Sequence, residues 1–542
     1  MASDAGYMKR REELIALDRA LRADHIRDPL SPTEAKADNV IRELRTKEAS
    51  TIWNADYPSI PHPFPGMEFL TGRSIIEKTK IFKILSKMPK GAILHSHFDA
   101  MGNPAEILKL VLEQSAMHVC CSSPLNSSNL KSILPKFKCL PPEEYPKETV
   151  SLTDDNYTCN SWISANSARE MFDPELGGPG GFDRWVIAAM TINPTEAYGT
   201  HNTIKKIWQK LATTFHLYEP MIHYEPIIRE YFRQIILSAI EDGISYLEIR
   251  MNLPYRCLAN DCKRFLSDHE IFRIIDHVLN DIKAELKQQG REDEFIGAKV
   301  IIATLRWISM ENLEERLQNC ITLKKEFPHL VAGFDLVGHE DDADQGYPLS
   351  HYAEMLLKFP EMQKKAGVDE IPFIFHAGET FGDGTKADGN LYDAILLGTK
   401  RIGHGFSLLK HPKLMEICRE RDIAIEVCPI SNEVLRLTSS INSHPVPALF
   451  NHGLRVALSS DDPSMWGCMG LTYDFYQVLV SSELTGIIQL GEVAKDSIKY
   501  SMLSSEEKER ALLAWQRRWE RFLEYVLRVG QELEIKPVDQ MI

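Results

Sequence analysis

Eight times along this chain a short apolar, often β-branched run ends abruptly on polar or ionisable residues. The runs are GAILHSH (91–97), ISYLEIRMN (244–252), AKVIIATLR (298–306), VAGFDLVGHE (331–340), IPFIFHAGE (371–379), KRIGHGF (400–406), IAIEVCPIS (423–431) and RVALSSDDP (455–463). Runs this short and this apolar read as strands buried on both faces, the signature of parallel sheet. From the second onward, the gaps between them suit a strand–loop–helix unit, and eight such units close into a (β/α)8 barrel. The fold class expected is therefore α/β, a TIM barrel. Nearly every polar residue falls at the C-terminal end of its run, the end where such a barrel carries its chemistry.

The first gap breaks the rhythm. Residues 98–243 separate the first run from the second, and 125–181 are rich in Ser, Asn, Pro and Gly. An insertion at about 105–225 is expected on the catalytic face, carrying helices such as HNTIKKIWQKLATTF (201–215). Residues 1–88 form a charged helical extension broken by YPSIPHPFP (57–65), and the barrel occupies 89–542. Near the C-terminus, Ser504 and Glu507 supply a capping box for a long helix.

Composition narrows the function. A formal charge of −15 over 542 residues opposes nucleic acid or an anionic membrane surface as partner. Ten cysteines without a CxxC spacing exclude zinc-ribbon and thioredoxin readings. The N-terminus has no apolar signal-like core, and no run approaches a membrane span, so the expectation is a cytoplasmic protein with reduced thiols. Cys120, Cys121, Cys139 and Cys159, clustered in the insertion, are the cysteines with most opportunity to pair.

The chemistry lies at the strand ends. His95 and His97, spaced i, i+2, point to one face of an extended chain. His376 and Glu379 end the fifth run, His404 the sixth, and Asp461 and Asp462 the eighth. Each has an ordinary structural explanation alone; together they put a metal-ligand set and spare acid–base groups on one rim. His95, His97, His376 and Asp461 suit one zinc ion with a position left open, leaving Glu379 and His404 for catalysis. Zinc makes water acidic, His404 and Asp461 can serve as base and orienting group, and a buried Glu379 can donate a proton. That inventory matches hydrolytic deamination of a purine at C6. Asp462 would bond N7, and the backbone at Gly338 would approach the ring.

These motifs, HxHxD, HAGET, RIGHGF, CPISN and SSDDP in this order, resemble the adenosine deaminase family of amidohydrolase barrels. GFDLVGHED, FIFHAGET, RIGHGFSLLKHP, IEVCPISNEVL, SSDDPSMWG and LTYDFYQV are more closely similar to the adenosine deaminase-related growth factors. The close likeness covers roughly 330–525 and extends weakly back through MIHYEPIIREYF and KGAILHSH. The resemblance implies a zinc-dependent amidohydrolase acting on adenosine or 2′-deoxyadenosine. It also implies Asp99 as acceptor for the ribose 5′-hydroxyl, Trp208 and His223 along the ribose, and an N-terminal segment that makes a homodimer. Two positions depart from the ribose-contact pattern, Asn166 in the insertion and Leu305 at the end of the third run. An AMP or N6-modified purine aminohydrolase, with Arg250 and Arg306 as candidate phosphate ligands, and a non-catalytic adenosine-binding protein are the alternatives.

Overall fold

The computed structural model describes residues 2–23, 30–342 and 346–534. Eight parallel strands form the frame: β1 (Gly91–Ile93), β5 (Ile244–Asn252), β6 (Gly297–Leu305), β7 (Val331–Val337), β8 (Phe375–Ala377), β9 (Arg401–His404), β10 (Ala424–Val427) and β11 (Val456–Leu458). They hydrogen-bond as two four-stranded sheets, β1-β5-β6-β7 and β8-β9-β10-β11. Isolated parallel bridges join the halves, Phe334 with Phe373 on one side and Ser96 with Asp461 on the other. The second seam is tight: His97 N–H donates to Asp461 O at 3.1 Å, and Asp461 N–H to His95 O at 3.2 Å. The expected barrel is present, six of its strands three to six residues shorter than the apolar runs, largely because the polar ends turn into loops at the mouth.

Each barrel strand is buried on both faces, as its apolar run requires. The barrel axis is not filled by aliphatic layers alone. Glu248, Arg250, Asp335, Arg401 and Glu426 all lie inside with essentially no exposure. Arg401 pairs with Glu248 and Glu426, and Arg250 with Asp335 and Glu426 at 2.7 Å each. Buried charges persist only when paired and hydrogen-bonded.

Between β1 and β5 the insertion holds a feature the sequence reading missed, an antiparallel sheet of β2 (Met117–Cys120), β3 (Lys136–Cys139) and β4 (Ile163–Ser164), in order β3-β2-β4. Its strands are two to four residues long, too short to stand out from the surrounding turns. The expected helix is there, extended to Ile204–Ile222. Cys120 faces Lys136 and Cys139 faces Met117, so these two cysteines sit at opposite ends of the hairpin. All ten cysteines are unbridged. The helix Ser505–Glu532 opens on the predicted Ser504–Glu507 capping box and packs on the N-terminal helix Pro32–Ser50. No helix among the described residues is long and apolar enough to cross a membrane.

Candidate active site

His95 and His97 leave β1 in extended conformation, His376 lies within β8, His404 ends β9, and Asp461 follows β11. The candidate ligand atoms of His95, His97, His376 and Asp461 all lie within 4.8 Å of one another. The four ligands expected from sequence therefore meet at one point of the rim, at the seam where the barrel closes.

Their protonation fits a cation. Arg250 and Arg401, working against burial, hold Glu426 below the usual carboxylate range, so it only accepts. His95 must then place its proton on Nδ1, 2.8 Å from Glu426. His376 Nδ1 likewise faces Asp335 Oδ2 at 2.7 Å, and burial followed by the neighbouring His95 ring and Arg250 keeps His376 uncharged. Both imidazoles thus turn a bare Nε2 toward the cluster. His95 Nε2 lies 3.3 Å from Asp461 Oδ1, and both atoms are buried without a hydrogen-bond partner. Two acceptors at that distance repel unless a cation lies between them, and a neutral imidazole backed by a carboxylate is a strong metal ligand. The donor set, three nitrogens and one carboxylate oxygen, suits zinc.

Backbone geometry makes room for this packing. A Cβ on Gly403 would lie 2.9 Å from the His95 ring and 3.2 Å from His376 Cα, so RIGHGF needs glycine before its histidine. His404 and Asp461 hold φ values of 61° and 58°, left-handed backbone rare for such residues and typical of functional sites.

Glu379 is 4% exposed, and its Oε1 has no partner. Burial, then the carboxylates of Asp461, Glu340 and Asp462, push its carboxyl well above the usual range. Glu340 fixes its loop by accepting from the N–H groups of Gly378 and Glu379 at 3.2 and 3.0 Å. His404 Nε2 stands 3.6 Å from Glu379 Oε1 and 3.9 Å from Asp461 Oδ2. Burial pushes His404 down to about 3. Asp462 is buried with Oδ1 unpartnered, and burial followed by Asp461 raises its carboxyl well above the usual range.

Asp99 Oδ1 accepts from Tyr255 OH at 2.8 Å and lies 3.2 Å from His223 Nε2. The sequence reading joined Asp99 and His223 and missed Tyr255, whose buried phenol has no signal of its own. Trp208 stacks on His339 with ring centroids 4.3 Å apart, and the neighbouring Gly338 holds φ 111°. Asn166 is exposed on the insertion helix Ala165–Glu170. Leu305, partly exposed, ends β6. Arg250 and Arg306, the candidate phosphate ligands, are each 1% exposed. Arg250 is spent on Asp335, Glu426 and Leu94 O, whereas Arg306 uses only Nη2, on His376 O with Glu340 at 3.7 Å, and its Nε and Nη1 are buried without a hydrogen-bond partner. The residues behind the ligands, Asp335, Glu426 and Arg250, were legible only as charges inside apolar runs.

The sequence profile of the adenosine deaminase family matches residues 190–514. The chain belongs to the adenosine deaminase family. Human adenosine deaminase 2 is 34% identical over 467 residues, 85% of this chain and 83% of its own length. Among solved structures, Arabidopsis ADAL complexed with IMP superposes with TM-score 0.51 at 14% identity, covering 81% of this chain and 99% of the other. The N6-methyl-AMP deaminase of Arabidopsis thaliana superposes with TM-score 0.50 at 14% identity, covering 80% and 98%. At that identity the likeness speaks for the barrel alone. With its His/His/His/Asp cluster, this member of the family is a zinc-dependent deaminase-type amidohydrolase.

Proposed function

We propose that the enzyme deaminates adenosine and 2′-deoxyadenosine to inosine and 2′-deoxyinosine, releasing ammonia. The observation that carries this reading is Glu379, a buried carboxyl beside the ligand cluster whose Oε1 has no partner and whose burial and carboxylate neighbours push it well above the usual range. His95, His97, His376 and Asp461 would hold a zinc ion, which when bound would supply the Lewis acidity that makes water a nucleophile near neutral pH. As water adds its oxygen to C6, one water proton passes to Asp461 and Glu379 gives its own proton to N1 of the ring. His404 Nε2 orients the incoming oxygen. The C6–N6 bond then breaks as the proton taken by Asp461 passes to N6, so the amine leaves as ammonia, while the C6–OH proton returns to Glu379 as C6=O forms. Asp462, kept neutral by its surroundings, donates to N7, and the backbone at Gly338 approaches the opposite ring edge. A protein that only bound adenosine would have no use for a protonated Glu379 beside a metal site.

For the ribose, Asp99 is assigned the 5′-hydroxyl, with His223 and Trp208 alongside. Of the two arginines, Arg250 is consumed by buried ion pairs with Asp335 and Glu426 and has nothing left for a phosphate. The second reading is an AMP or N6-modified purine aminohydrolase, and the observation that favours it is Arg306, whose Nε and Nη1 are buried without a hydrogen-bond partner. The test is an ultraviolet assay of adenosine, 2′-deoxyadenosine, AMP and N6-methyl-AMP side by side, with and without zinc chelation. Higher kcat/KM for the nucleosides is expected. Preference for either nucleotide selects the second reading, and no turnover of any substrate leaves a binding protein.

Within the family the chain is assigned to the adenosine deaminase-related growth factors, with residues 1–88 as a dimerisation segment ahead of the barrel. The helix Ala2–Ala20 supports this, since Tyr7, Leu14 and Leu17 along it, with Leu21 just beyond, are all more than half exposed. A reducing, cytoplasmic setting is proposed from the sequence. Sedimentation and thiol counting on fresh protein test the two assignments.

A further inference from the structure

The motif CPISN has no part in the chemistry above, yet its last residue touches His404. Asn432 lies on the short helix Pro429–Val434 and is fully buried. Its Nδ2 is 3.2 Å from His404 Nδ1, and its Oδ1 is 3.1 Å from His444 Nε2. At the far end of the chain of contacts, the backbone N–H of Val446 donates to His444 Nδ1 at 3.1 Å. All four groups are buried.

That last bond sets the direction of every other. A backbone N–H can only donate, so His444 Nδ1 carries no proton. Burial pushes His444 down to about 3, so the ring is neutral and its single proton is on Nε2. Asn432 must then present its oxygen to His444, for the reverse amide orientation would set N–H against N–H. The amide nitrogen of Asn432 consequently faces His404, donates to Nδ1 and leaves the His404 proton on Nε2. That nitrogen points at Glu379 Oε1 and Asp461 Oδ2, 3.6 and 3.9 Å away.

We infer that Asn432 and His444 are positioning residues that fix the Nε2–H tautomer of His404, so that His404 meets the attacking oxygen as a hydrogen-bond donor. The inference rests on the deaminase reading for its kinetic consequence, but not for the tautomer itself.

Asn432→Asp tests it with almost no change of shape. A carboxylate still accepts from His444 and now also accepts from His404 Nδ1, moving the proton there and leaving Nε2 bare. Turnover should fall on the order of 10²–10⁴-fold, the range found when a catalytic histidine loses its proton-transfer role or is held in the wrong tautomer. KM should stay within about threefold and zinc at one per chain, an outcome that a loosened barrel would not give. His444→Gln, which can accept from Val446 and donate to Asn432, should keep kcat at least about tenfold above that of His444→Leu. This pair decides the matter if Asn432→Asp fails to fold. Solid-state NMR of protein carrying 15N-labelled histidine, with His404→Gln as the assignment control, reads the tautomer without turnover. Wild type should carry the His404 proton on Nε2 and Asn432→Asp on Nδ1. A wild type with the proton on Nδ1, an Asn432→Asp kcat within threefold of wild type, or equal kcat in the two His444 variants would overturn the inference. If wild type turns over no purine but NMR finds the Nε2–H tautomer, the deaminase reading fails and the tautomer assignment stands.

Discussion

Replacing Asp335 by asparagine is the sharpest probe of how the barrel holds its metal. Asp335 Oδ1 accepts from His376 N at 2.9 Å, while Oδ2 accepts from His376 Nδ1 and Arg250 Nε at 2.7 Å each. Asparagine is nearly isosteric, but its one nitrogen must replace one of two oxygens that serve only as acceptors. In either orientation an N–H is set against an N–H. The substitution also removes a charge from a fully buried pair with Arg250, which keeps Glu426 and Leu94 O. Breaking a buried ion pair costs about 3–5 kcal/mol, and the surviving partners place this case near the lower figure. Losing the carboxylate behind a metal-bound histidine weakens the metal about 10–100-fold, or about 1.4–2.8 kcal/mol. Two separate losses are therefore expected. Denaturation of the metal-free variant should show lower stability by about 3 kcal/mol. Competition with a chromophoric chelator should show zinc affinity down by one to two decades. A variant with unchanged zinc affinity would refute the claim that Asp335 sets the orientation and basicity of His376.

Glu379→Gln should retain zinc and product binding yet lose on the order of 10²–10⁴-fold in kcat, because the amide has the shape but no transferable proton; turnover near wild type removes Glu379 from the donor role. Asp99→Asn should narrow the preference for adenosine over AMP, since a phosphate beside the native carboxylate is repelled by about 1–4 kcal/mol at effective dielectrics of 80 to 20; an unchanged kcat/KM ratio places the 5′ end elsewhere. Burial pushes Glu433, on the helix that carries Asn432, up to about 8. Between the unfolded value near 4.5 and about 8, the folded state binds the extra proton, so stability falls as pH rises, by up to about 1.4 kcal/mol per pH unit. Glu433→Gln should flatten that decline in denaturation measured at pH 5 and pH 8, and a parallel profile in variant and wild type refutes it.

The barrel could be read from the chain because each strand is a closed local signal, an apolar run ending in a polar group. The ligands could be read for the same reason, since His95, His97, His376 and Asp461 each stand at such an ending. What sequence did not disclose depends on contacts between distant runs. Glu426 and Asp335 are single charges within apolar strands, and nothing local says that they face His95 and His376. Tyr255 reaches Asp99 from 156 residues away. Asn432 gives no sign of its partner until the loop carrying His444 folds back on it. The small antiparallel sheet of the insertion was hidden by its shortness, because a two- to four-residue strand has no period to detect.

The seam between β1 and β11 joins the two ends of the barrel's chain. Ser96 and Asp461 lie 365 residues apart, so at a synthesis rate of about 5–20 residues per second roughly 20–70 s pass between the first ligands leaving the ribosome and the last. During that interval His95 and His97, later joined by His376, exist without Asp461, and imidazoles on an unclosed sheet grip a cation far less selectively than the finished set. The complete ligand set therefore exists only once the final strand has docked. A chain cut short before β11 never reaches that point, and it would carry an open sheet edge where the finished enzyme has its metal.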